Sequence, residues 1–235
     1  MRSSTRHQLK QDQFTQAATG TVHWAVEHRQ KLVWGGGLAA AALVIAIGAW
    51  LYMGYRENQA TEAMGMALLT YNAPLRTGQE PTTAAKSFAT AEERSKAAQA
   101  EFSRVAEQYS GSPSGKLARY FAGVTAAELH DTAAAEREFT AVMNSANPEL
   151  ASLAKLALAG VYQDSGRPSD AMRLYNELAD HPTRTVPKSA AQLELAELLA
   201  TNQPDQARTL LEQIAKENPS AAAGQIAQTR LQGLK

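Results

Sequence analysis

The chain contains no cysteine. Disulfides, cysteine-ligated zinc, thiol catalysis and lipid attachment through an N-terminal cysteine are therefore excluded. Net charge is missing too: Lys plus Arg and Asp plus Glu each number 23. Binding to nucleic acid by counterion release then has no electrostatic basis. Alternating β-branched runs, the mark of half-buried strands, are nearly absent. Catalytic patterns are equally scarce. There is no HExxH helix, no close His pair with a carboxylate at metal-ligand spacing beyond residue 55, and no serine in a nucleophile elbow. Of the five histidines, His7, His23 and His28 precede the apolar run described next, while His130 and His181 fall at expected turns. Asp180 adjoins His181, and adjacent side chains on a helix or turn point apart. The charges in EERSK and AEREF suit solvated ion pairs on helices, and Ser110 to Ser114 suit a turn. The chain reads as a non-enzyme without cofactor, metal or small-molecule substrate.

What the chain does have is one uncharged apolar run, Val33 to Met53, of about the 20 residues that a helix needs to cross a bilayer core. Trp34 stands at one end and Trp50, Tyr52 and Tyr55 at the other, where amphipathic rings settle among lipid headgroups. A cleaved secretory signal needs a shorter core and a small-residue cleavage site, whereas bulky Trp50, Leu51 and Tyr52 follow Ala49 here. A buried soluble helix explains neither the clean run nor its aromatic flanks. Arg2, Arg6, Lys10, Arg29 and Lys31 precede the run, and only Arg56 follows it before Arg76, which predicts a cytoplasmic N-terminus. In a bacterial cell the remainder faces the periplasm. Within the run, Gly36 with Ala40 and Gly37 with Ala41 place small residues four apart, a pattern that suits helix packing in a membrane. Gly35, Gly36 and Gly37 have neither a strand before them nor a phosphate-binding lysine after them.

From Glu57 onward, Ala, Leu, Gln and Glu dominate and apolar residues recur at spacings of three and four, which predicts helices. Small residues at Ala98, Ala135, Ala171 and Ala207 stand 37, 36 and 36 apart. Four residues after each comes Phe102, Phe139, Tyr175 or Leu211, and seven after comes Val105, Val142, Leu178 or Ile214. The pattern is one helical face, repeated. A preceding helix carries Gly123, Ala159 and Leu195, then Ala126, Tyr162 and Leu198, at fixed offsets. Pro113, Pro148, Pro182 and Pro219 read as stops closing each second helix, and Pro168 with Gly166 as part of a hairpin turn.

In the clearest unit, Ala159, Tyr162, Gly166, Ala171, Tyr175, Leu178 and Pro182 sit at the spacings of a tetratricopeptide repeat, which this chain resembles over residues 84–219. The tryptophan usual early in that motif is replaced by Arg119, Lys155 and Ala191. The expected fold is all-α: an N-terminal transmembrane helix followed by a tetratricopeptide-like helical-hairpin solenoid. The expected divisions are a cytoplasmic tail at 1–31, a transmembrane helix at 32–54, a connecting helix and loop at 55–83, repeats at 84–219 and a capping helix at 220–235. In the tail, Leu9, Phe14, Val22, Trp24 and Val26 could line an interfacial helix, against which Gly20 argues.

Layout and local patterns, the segments RHQLKQDQF and GYRENQATEAMGMALLTYNAP among them, also resemble the YfgM-like family of ancillary Sec translocon subunits. That resemblance implies a periplasmic interaction module beside translocon subunits, envelope chaperones or exported chains. An envelope-assembly or cell-division coordinator using the same groove is the alternative. In the repeat register, Tyr120, Val124, Glu128, Leu156, Gln163, Asp164 and Gln192 face the inner groove as candidate protein-binding residues. For Val124 and Leu156, a place in the core is as good an expectation.

Overall fold

The computed structural model describes residues 29–76 and 86–234. Most of the expected cytoplasmic tail, including its five apolar candidates and three histidines, lies outside the described residues. So do residues 77–85 of the connecting loop and Lys235. The described residues hold nine helices: α1 (Arg29–Tyr71), α2 (Ala91–Gln108), α3 (Pro113–Glu128), α4 (Thr132–Met143), α5 (Pro148–Asp164), α6 (Pro168–Asp180), α7 (Lys188–Asn202), α8 (Pro204–Glu217) and α9 (Ala222–Gly233). Among them there is no strand, only an isolated bridge between Leu75 and Phe88. The chain divides into two compact units, Met1–Tyr55 and Arg56–Lys235.

In the first unit, the part of α1 up to Tyr55 carries the apolar run. Among the described residues α1 alone is long and apolar enough to cross a membrane. Its large side chains are open, with Trp34 74% and Trp50 70% exposed.

The second unit is a stack of helical hairpins in which each helix from α2 to α9 packs on the next. Further contacts join α3 to α5, the first helices of successive hairpins, and α7 to α9, the last helix. The repeated face explains the stacking. Ala98, Ala135, Ala171 and Ala207 are all 0% exposed, and Phe102, Phe139, Tyr175 and Leu211 lie at 0 to 2%. Burying each such large side chain contributes roughly 1.5–3 kcal/mol, so the register alone accounts for much of the core. The small residues let the helices close. A Cβ built on Gly123 would lie 2.7 Å from the Phe139 ring. The last turns of α1 join this unit: Ala60, Met64 and Ala67 pack in one cluster with Ala98, Phe102 and Val105. Tyr71 meets Phe102 edge-on, at 6.1 Å between ring centroids.

Local chemistry fixes the boundaries. Thr90, Ser112, Asp131 and Asn147 cap α2, α3, α4 and α5 by accepting from N–H groups of the first turn. Pro113, Pro148, Pro168 and Pro204 are the first residues of α3, α5, α6 and α8. Two prolines read as stops from sequence therefore start helices, and Pro168 opens α6 instead of lying in the turn. In the first turn a missing N–H leaves nothing unpaired, and the fixed φ is already helical. The turns of the first two hairpins are closed by a residue in the left-handed region, His130 at φ 58 and Gly166 at φ +74. There Asp131 N–H donates to Ala126 O at 2.9 Å and Arg167 N–H to Tyr162 O at 2.8 Å, so orphan carbonyls of the preceding helix are satisfied.

Candidate functional site

The candidate groove residues stand on the first helices of the hairpins. On α3, Tyr120 and Val124 are half-buried and pack against the central core, and Leu156 does the same on α5. The Tyr120 ring lies 5.7 Å from that of Phe139 and 5.5 Å from that of Phe121. Burial raises the Tyr120 pKa, which keeps the hydroxyl protonated at any physiological pH. On this face Gly160 leaves open space where a side chain would stand. At the end of α5, Gln163 is half-buried and its Oε1 accepts from Tyr175 Oη at 3.4 Å. Asp164 is exposed. Burial, and then the carboxylates Glu194, Asp164 and Glu197, push the Tyr175 phenol up to about 12. Three carboxylates therefore lie near this end, of which Glu197 is paired with Arg230.

Two candidates sit differently. Glu128 is exposed at the end of α3, but its carboxylate turns toward α1 and α2. Tyr71 Oη donates to Oε1 at 2.5 Å and Ser95 Oγ to Oε2 at 2.7 Å. Burial and this bond push the Tyr71 phenol up to about 12. Gln192, on α7, is only 7% exposed, and its Oε1 has no partner among the described residues. Leu195, Leu198 and Leu199 on the same helix are nearly as buried, and α9 packs on α7.

In the first unit, Gly36, Gly37, Ala40 and Ala41 are all exposed on α1, and a Cβ on either glycine would meet nothing within 4 Å. The positions where a tryptophan is usual hold charged pairs in the first two hairpins. Arg119 Nη1 lies 4.0 Å from Glu138, and Lys155 pairs with Glu177. Ala191, the third, is fully buried beside Val186. Sequence spacing missed a hollow of about 490 Å³ beside the Lys155–Glu177 pair, bounded by the end of α4, by α5 and α6, and by the loop after α6. Asp180 and His181, expected to diverge, both line it. Among the described residues no three His, Asp or Glu side chains are grouped to hold a metal ion.

Half-buried aromatic and aliphatic side chains thus stand on the first helices of successive hairpins, beside polar groups at one end, which is the chemistry of surfaces that take polypeptide segments. No curated protein and no solved structure matches the chain. A family described as tetratricopeptide repeat-like domain matches residues 23–182, more than half of the 235 residues, including α1 to α6. The chain belongs to that tetratricopeptide repeat-like family.

Proposed function

We propose that this chain is a membrane-tethered scaffold that binds segments of other proteins in the groove formed by α3 and α5, without catalysis. The observation that carries the reading is the row of half-buried Tyr120, Val124 and Leu156 on the hairpin stack, an anchor surface of the kind that repeat proteins offer to partners. The open, uncharged run on α1 supports the tether. Exposed apolar surface costs about 25 cal/mol per Å² in water and little in lipid. The basic flank before that run supports a cytoplasmic N-terminus, which would place the repeats in the periplasm of a bacterial cell. Tethering raises the local concentration of the groove near other membrane complexes. The resemblance to ancillary translocon subunits makes emerging exported chains and the translocon itself the expected partners.

The test is photocrosslinking from Tyr120 and Gln163 in intact membranes, with identification of the captured proteins. Translocon subunits or exported chains are expected, and their capture should be lost on deletion of residues 33–53. Recovery of soluble metabolic enzymes alone would refute the reading.

A further inference from the structure

The hollow between α5 and α6 is lined by none of the candidate groove residues, although Leu156 packs against the cluster that contains its Leu178, and it has a distinct chemistry. Its floor is apolar, built from Met143, Ala151 and Leu178. On one wall Lys155 and Glu177 neutralise each other. At the rim, the Asp180 carboxylate is exposed and has no partner among the described residues, and His181 stands beside it. The end of α6 supplies further acceptors. His181 N–H closes on Glu177 O at 3.0 Å, but Pro182 has no N–H to close on Leu178 O. Among the described residues no group donates to the carbonyls of Leu178, Ala179 or Asp180. A helix C-terminus carries about half a negative charge, so open carbonyls and an unpaired carboxylate together favour a cation.

We propose that this hollow is a second recognition site, which takes the side chain of an arginine from a partner polypeptide. Three features select it. The apolar floor covers a propyl stem, leaving the charged head at the rim. The planar head offers five donors in a fork, which suits several diverging carbonyl and carboxylate acceptors better than a compact ammonium does. The one cation already present, Lys155, is held by Glu177 and leaves Asp180 to the guest. An anion has no unpaired cationic side chain to meet there except the His181 ring.

The test uses the full chain in lipid nanodiscs with ¹³C-methyl methionine, because Met143 lines the floor. N-acetylarginine N-methylamide is titrated against the corresponding citrulline amide, which has the same shape without charge. The Met143 methyl signal should move saturably with the arginine probe, and the other methionines should stay still. Citrulline should bind at least about fivefold more weakly, a difference of about 1 kcal/mol. Asp180→Asn, an exposed change that leaves the core intact, should weaken the arginine probe by a similar factor. Ala151→Leu should fill the floor and abolish the shift; were it to unfold the chain, Asp180→Asn decides. An unmoved Met143, equal binding of citrulline, or an unaffected Asp180→Asn variant would overturn the proposal.

Discussion

Gly123→Ala isolates the contact on which the hairpin stack rests. In the middle of a helix, alanine is favoured over glycine by roughly 1 kcal/mol, so propensity alone predicts a more stable protein. The structure predicts the reverse. The added methyl would sit 2.7, 2.8 and 3.0 Å from three carbons of the Phe139 ring. That ring is 1% exposed and touches Tyr120, so it has nowhere to retreat. Overpacking of a dense core costs about 1–3 kcal/mol. The net expectation is a loss of up to about 2 kcal/mol. Gly160→Ala is the internal control, since nothing lies within 4 Å of its Cβ position. It gains the propensity without the clash, a stabilisation of about 0.5–1 kcal/mol. Thermal melts of the full chain by far-ultraviolet circular dichroism should separate the two variants by several degrees, at about 2–4 °C per kcal/mol for a chain of this size. In a double-mutant cycle Phe139→Leu should cost less in the Gly123→Ala background than in the wild type, because the smaller side chain also relieves the crowding. A Gly123→Ala protein that melts as high as Gly160→Ala would refute the close-approach argument.

The two left-handed turn residues predict opposite outcomes. His130 adopts φ 58 at a steric cost that glycine does not bear, so His130→Gly should hold or raise the unfolding free energy in urea titrations, whereas Gly166→Ala at φ +74 should lower it by about 1–2 kcal/mol. Asn147 accepts from the N–H groups of Glu149 and Leu150, and Asn147→Ala should cost about 1 kcal/mol in the same assay. The Glu194 carboxyl is raised above its ordinary pKa by burial and then by Glu197, against the opposing pull of Arg230. A raised folded-state pKa means that the folded protein holds this proton more tightly than the unfolded chain does. The stability it contributes is complete below the unfolded pKa and is lost as pH rises through the folded value. Glu194→Gln should therefore melt higher than wild type at pH 7 and lose that advantage below about pH 4, as thermal scans at the two pH values will show.

The fold was legible where one residue type does one job at a fixed interval. Ala98, Ala135, Ala171 and Ala207 repeat because only a small side chain permits close helix contact, and the bulky residue four positions on must then fill the space beside it. Proline was harder to read, because the residue that ends one helix costs nothing in the first turn of the next. Pro113 and Pro148 open α3 and α5 with only four residues intervening after α2 and α4 have ended, close enough to look like stops in the sequence. The last turns of α1 escaped the repeat alignment for a different reason. The long connection between Tyr71 and Ala91 breaks the 36-residue period, so nothing in the spacing ties Met64 to Phe102, although the two share a core cluster. The same break hides what Glu128 does. Its register position matches that of Asp164, yet its partner Tyr71 comes from a helix that the period does not reach, and Ser95 from the start of α2, ahead of the repeated positions Ala98, Phe102 and Val105. Gln192 matches Leu156 in register, but α7 packs against α6, α8 and α9, and Gln192 is left only 7% exposed. Register thus assigns a residue to a helix face, while the neighbour at each end of the stack decides whether that face stays open. Tyr120, Val124 and Leu156 lie on α3 and α5, between the two ends, and their side chains stay half-buried rather than closed over.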